Sequence, residues 1–123
     1  MIARLSPAQI DYLHSQRLGR LATIRPDGSP QNNPVGFRYN ESLGTVDIAG
    51  HNMGASQKFR NLTKEERVAF VVDDIKSFDP WQVRCLEIRG TAQALRGIDS
   101  YIPGGTPELI RITPERILAF GIE

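Results

Sequence analysis

The chain has 123 residues, 40% of them hydrophobic and 24% charged, with fifteen cations against fourteen anions and a net charge of +1. This fits one globular domain, 1–123, with a modest core. It supplies no field able to hold nucleic acid or an anionic membrane. A single cysteine, Cys85, excludes an intrachain disulfide and a Cys-based zinc site. That cysteine usage, an N-terminus without a leader-like apolar run and a longest apolar stretch of residues 68–72 predict a cytoplasmic protein outside the membrane.

Ser6-Pro7-Ala8-Gln9 predicts a helix start: Ser6 as cap, Pro7 in the first position and Gln9 closing a capping box. Leu5, Ile10 and Leu13 give that helix a short apolar face, and it should end near Gln16. Residues 20–25 alternate like a strand. Pro26-Asp27-Gly28-Ser29 is a turn. Residues 31–39 form the returning strand, and Pro30 and Pro34 confine part of it to an edge or bulge. After a turn at 40–44 and a strand at 45–49 comes a flexible polar loop, Gly50-His51-Asn52-Met53-Gly54. A short helix is expected over 55–62, and a strand over 67–72 whose unbroken apolar run predicts burial on both faces.

Residues 73–82 read as a loop carrying Trp81, and 83–95 as a long strand bent at Gly90. Residues 96–107 read as a surface loop, with strands at 108–113 and 117–122 closing the chain. Six or so short strands with hairpin turns and two small helices predict a mainly β fold, a closed barrel that leaves no long unprotected edge.

Most catalytic patterns are absent, including Gly-x-Ser-x-Gly, Gly-x-Gly-x-x-Gly and the P-loop. His14 and His51 lie in no metal-ligand spacing. Asp73-Asp74 reads as a solvated pair more readily than as a metal site, and Cys85 as an inert thiol in a strand. One segment carries a chemical suggestion: Gly50 to Gly54, then Ala55-Ser56-Gln57-Lys58 at a helix start. Free N–H groups, the Ser56 hydroxyl and the Lys58 charge together suit a phosphate, and a cation in a first helical turn wants an anion to offset the dipole. A plain loop with a capping serine and a solvated lysine accounts for the same residues.

The run Leu18-Gly19-Arg20-Leu21-Ala22-Thr23-Ile24-Arg25-Pro26-Asp27-Gly28-Ser29-Pro30 resembles the opening hairpin of the pyridoxamine 5′-phosphate oxidase-like family. Pro34-Val35-Gly36-Phe37-Arg38-Tyr39-Asn40, Thr45-Val46-Asp47-Ile48-Ala49-Gly50-His51 and Lys58-Phe59-Arg60-Asn61-Leu62 continue the resemblance in order. So do Arg67-Val68-Ala69-Phe70-Val71-Val72-Asp73-Asp74, Asp79-Pro80-Trp81, Glu87-Ile88-Arg89-Gly90-Thr91-Ala92 and the tail from Ile110 to Ile117. The chain is most similar to the branch that depends on the deazaflavin coenzyme F420. The resemblance implies a split β-barrel, a homodimer, and a cofactor site at each end of the dimer seam.

It also implies an oxidoreductase that transfers a hydride from reduced F420 to a small, flat, unsaturated organic substrate. The cofactor does the chemistry, so no general acid or base is named. FMN in the same fold is the alternative, as is a non-catalytic flavin or haem carrier or sensor. Ser56, Gln57 and Lys58 match a Ser-Arg-Lys triplet that grips the FMN phosphate in relatives, with Gln57 in place of the arginine. The strand from Asn33 to Phe37, with Asn33, Pro34, Val35 and Gly36 at the site, would lie beside the ring, with Gly36 admitting close approach, and Ala49, Gly50 and His51 complete the site. Arg84 and Cys85 match a cross-dimer position where glutamine usually stands in place of Cys85. Trp81 is expected at the rim of the site. The tryptophan and arginine that hold pyridoxal phosphate in true oxidases have no match, so vitamin B6 oxidase activity is not expected.

Overall fold

Ser6 caps the first helix through the predicted box: its hydroxyl accepts from the Gln9 N–H at 3.2 Å, and the Gln9 side chain accepts from the Ser6 N–H at 2.9 Å. The computed structural model describes residues 2–122; residues 1 and 123 of the expected 1–123 domain lie outside the described residues. In chain order the elements are α1 (Pro7–Ser15), β1 (Leu18–Ile24), β2 (Pro30–Gly36), β3 (Arg38–Asn40), β4 (Thr45–Ile48), α2 (Gln57–Leu62), β5 (Arg67–Phe78), β6 (Trp81–Arg96) and β7 (Glu108–Phe120). A 3-10 turn (Met53–Ala55) precedes α2. No helix among the described residues is long and apolar enough to cross a membrane.

The seven strands form one antiparallel sheet in the order β2-β1-β5-β6-β7-β4-β3. Its two edge strands are neighbours in sequence, separated only by Phe37. Laid flat, seven strands would hold their edges about 29 Å apart, whereas two peptide links reach at most about 7 Å. The sheet must therefore curl until β2 and β3 meet. The barrel is closed by the chain itself, with no ladder between β2 and β3, and the seam at Gly36–Phe37 is a split in its wall. Phe37 plugs the inside of that seam, packing edge-on against Phe70 at 5.3 Å between ring centroids.

The curled sheet encloses one core. Leu21, Val46, Ile48, Phe70, Val72, Leu86, Ile88, Ile110 and Ile112 fill it from the strands, with Leu13 of α1 and Phe59 and Leu62 of α2 packed in. A second requirement is met at Gly90. The β6–β7 register shifts between Arg89 and Gly90, and a Cβ on Gly90 would stand 2.0 Å from the Thr113 carbonyl oxygen. Only glycine fits there, and the bend read from the sequence is this bulge.

Four expectations are corrected. Residues 73–82 are not a loop: β5 and β6 run on as a hairpin to Phe78 and Trp81. Their polar side chains hide the strand because both faces of the extension are outside the core, where apolar alternation is not required. The two C-terminal strands are one, since Pro114 sits at the bulge opposite Gly90. Residues 31–39 are two strands with different partners, although β2 does lie at an edge as its prolines require. Residues 67–72 are not buried on both faces: Val68, Phe70 and Val72 point inward, while Ala69 and Val71 are half-buried.

Candidate functional site

The split opens onto a cleft with two adjoining compartments. The smaller, about 240 Å³, is lined by Pro34, Val35, Gly36, residues 48–53 and Lys58. The larger, about 640 Å³, is lined by residues 14–17 at the end of α1, by Gly36 and Phe37, by Ala49, Gly50 and His51, and by Tyr101 and Ile102. Gly36, Ala49, Gly50 and His51 belong to both. Closure of the sheet is what brings the end of β2 against the end of β4 here.

A Cβ built on Gly36 meets only the Arg17 carbonyl oxygen, at 3.9 Å. The glycine therefore faces open cleft rather than packed protein, which suits a flat ring lying on the backbone. At the other end, Lys58 is half-buried, and no hydrogen-bond or ion-pair partner meets its ammonium among the described residues. Burial alone pulls its pKa down. A half-buried lysine without a carboxylate is a ready partner for an anion. A flavin or deazaflavin with its phosphate at Lys58 and its ring over Gly36 thus fits the residues present.

The floor beside Gly50 is rigid. Asp47 is fully buried on β4 and takes the Arg111 guanidinium in a fork, both contacts at 3.1 Å. Thr45 and Asn40 donate to the same carboxylate at 2.9 and 3.0 Å. Burial pushes this carboxyl up, but Arg111, Asn40 and Thr45 outweigh it and hold the group below the usual aspartate value. Removing one partner of such a buried pair costs about 3–5 kcal/mol. The Asp47 carbonyl accepts from the Tyr101 hydroxyl at 2.9 Å, and that hydroxyl accepts from the Ala49 N–H at 3.3 Å.

The surface loop expected over residues 96–107 begins only after Arg96, the last residue of β6, and residues 97–107 form a strap across the cleft. Besides Tyr101, Thr106 donates its N–H to the Gly50 carbonyl at 2.9 Å and accepts from the Met53 N–H at 3.1 Å. His51 Nδ1 lies 3.2 Å from the Gly104 carbonyl oxygen. A carbonyl only accepts, so in this hydrogen bond Nδ1 is the donor.

Of the residues named from sequence, Pro34, Val35, Gly36, Ala49, Gly50, His51 and Lys58 converge on the cleft. Five others line neither compartment. Ser56 spends its hydroxyl as a cap, donating to the Met53 carbonyl at 2.7 Å and accepting from the Phe59 N–H at 3.3 Å. Gln57 donates to the buried Asn61 at 2.7 Å and accepts from Arg60 at 2.7 Å. Asn33 accepts from Gln31 at 2.8 Å.

Arg84 stands beyond α1, paired with Asp74 and over the Tyr12 ring at 5.0 Å. The Tyr12 hydroxyl donates to Asp74 at 2.8 Å. Trp81 is at the hairpin end, exposed, edge-on to Phe78 at 5.9 Å. Asp73 pairs with Arg20 at 2.8 Å, so both adjacent carboxylates serve ion pairs. Burial, with Asp73 and Glu87 nearby, pushes the Cys85 thiol up, away from reactivity. Phe37, the last residue of the segment expected beside the ring, also lines the larger compartment, and sequence reasoning missed Arg17, Tyr101 and Ile102. An aromatic–aliphatic pair inside a Gly/Pro-rich loop was the available signal for the last two.

A relative from Streptomyces rimosus, 5a,11a-dehydrotetracycline/5a,11a-dehydrooxytetracycline reductase, is 51% identical over 116 residues, covering 94% of this chain and 82% of its own. A conserved hypothetical protein of Mycobacterium tuberculosis superposes with a TM-score of 0.75 at 22% identity, over 99% of this chain and 88% of its own. A structure described as an F420 reductase superposes with a TM-score of 0.63 at 24% identity, over 83% of this chain and 89% of its own. At those identities the two structures show the fold, a split barrel. Residues 5–119 match the family described as pyridoxamine 5′-phosphate oxidase. The split barrel, that match and the half-identical reductase agree, and the chain belongs to the pyridoxamine 5′-phosphate oxidase family as one of its oxidoreductases.

Proposed function

We propose that the protein is one cytoplasmic split-barrel domain, 1–123, that transfers a hydride from reduced F420 to a flat, unsaturated organic substrate. The observation that carries this is the pairing of Gly36, open to the cleft, with the unpartnered, half-buried Lys58 in the adjoining wall. Lys58 holds the phosphate, and the backbone of Pro34–Gly36 and of Ala49–Gly50 supports the ring. Reduced F420, when bound, supplies the hydride. The strap orients the wall through Tyr101 and Thr106 and shields the cleft from water.

The substrate is an α,β-unsaturated polycyclic ketone of the class named for the Streptomyces relative. Purified protein given reduced F420 and 5a,11a-dehydrooxytetracycline is expected to restore the absorbance of oxidised F420 in proportion to substrate. A protein that purifies yellow with bound FMN and leaves reduced F420 untouched overturns the cofactor assignment. In the FMN alternative, Gln57 would have to serve where relatives carry a second cation.

The working unit is a homodimer. Phe78, Trp81 and Phe120 are more than half exposed, an apolar surface large for an isolated barrel of this size. Stable homodimer interfaces commonly bury about 2,000 Å² or more. Light scattering at micromolar concentration is expected to give twice the mass of the chain. A monomer there removes the shared-site arrangement, and with it a role for Trp81 or Arg84 reaching across from a partner.

A further inference from the structure

The larger compartment holds a charge that the phosphate assignment leaves unused. Residues 14–17, Gly36, Phe37, Ala49, Gly50, His51, Tyr101 and Ile102 include no carboxylate. Nearby acids are already matched. Glu41 faces His14 at 3.6 Å. Asp74 is held by Arg84, Tyr12 and Gln16. Asp47, beneath Tyr101, is held by Arg111 at 3.1 Å, with Arg38 at 3.7 Å. Arg17, unlike these groups, has no ion-pair or hydrogen-bond partner among the described residues. Arg17 lines a space of about 640 Å³, within the range that holds small organic ligands, whereas the compartment at Lys58 is too small for more than part of one.

We propose that the larger compartment is the organic-substrate subsite and that Arg17 is its specificity residue, selecting substrates that carry an anionic oxygen, a carboxylate or an enolate. This rests on the hydride-transfer reading insofar as the cofactor ring lies over Gly36, which borders both compartments. Gly36 places the reacting carbon beside the ring, Tyr101 and Ile102 cover the flat body of the substrate, and Arg17 meets the anionic oxygen with its planar fork. A helix C-terminus also favours a nearby cation; that alone predicts no discrimination between charged and neutral ligands.

The test uses a matched pair of flat enones, para-carboxychalcone and its methyl ester. Binding to the full chain is measured by equilibrium dialysis with and without saturating F420, alongside KM and kcat with reduced F420. The wild type is expected to bind the acid about 10- to 100-fold more tightly than the ester, the range for one hydrogen bond to a charged group. Arg17→Gln is expected to abolish that preference, with the ester and F420 bound within about twofold of wild type and kcat retained at saturation. Arg17→Lys should restore part of it. Because Arg17 is exposed, both variants are expected to fold, which a thermal melt checks.

An acid-to-ester ratio unchanged by Arg17→Gln overturns the proposal. So does weaker F420 binding in the variant without enone, which would assign the charge to the cofactor. Selective acid binding without any oxidation of reduced F420 would instead sink the hydride-transfer reading and leave the subsite standing.

Discussion

Gly36→Leu is expected to reduce F420 affinity by at least about 100-fold, a loss of about 2.7 kcal/mol, while the fold survives. Gly36 ends an edge strand, and its backbone is not in the left-handed region that only glycine tolerates. An added Cβ meets ordinary van der Waals contact, the Arg17 carbonyl oxygen at 3.9 Å. Gly36→Ala should therefore leave the melting temperature unchanged or slightly raised, since a less flexible unfolded chain favours folding by about 0.4–1 kcal/mol where the conformation is compatible. The leucine branch, by contrast, fills space common to both compartments. Two measurements check this: fluorescence titration with F420 and a thermal melt of each variant. Wild-type affinity in Gly36→Leu would move the ring away from the split, and a collapsed melting temperature would mean the residue is structural.

What the sequence makes legible is local chemistry. The capping box of Ser6 and Gln9, the turn around Gly28 and the bend at Gly90 each depend on residues whose backbone or side chain admits few alternatives. Lys58 is legible for the same reason, as a charge in a context that does not neutralise it. The hairpin extension from Asp73 to Gln82 is illegible because its ladder is made by backbone groups that every residue carries, while its side chains lie outside the core. Arg17 and Tyr101 are illegible for a different reason. They come from a helix end and a distant loop, and reach one cleft only because the single residue between β2 and β3 forces the sheet to curl.

The matched triplet shows how resemblance and geometry divide. Ser56, Gln57 and Lys58 are consecutive, so a helical turn sends their side chains in different directions. Ser56 and Gln57 turn to the cap and to Asn61, and Lys58 alone turns to the cleft. A family motif transfers residue types without guaranteeing that each one touches the ligand.

Lys58→Ala should raise the dissociation constant for F420 by about 10- to 100-fold, because a hydrogen bond to a charged group contributes roughly 1.5–3 kcal/mol. The helix behind it has only six residues and so a weak dipole; the lysine's own charge is what an anion would feel. In the protein without ligand the same charge is a liability. It is half-buried with no counter-ion, and desolvation lowers its pKa, so below that folded-state pKa the ammonium destabilises the fold, and the penalty fades as pH rises through it. Lys58→Ala should thus leave the melting temperature of the ligand-free protein unchanged or higher at neutral pH. Inorganic phosphate separates the two roles without any cofactor. A ligand that binds only the folded state raises stability by mass action, so millimolar phosphate should raise the wild-type melting temperature and leave the Lys58→Ala protein where it was. Equal phosphate stabilisation of both proteins, with F420 affinity also unchanged, would place the anion site elsewhere in the cleft.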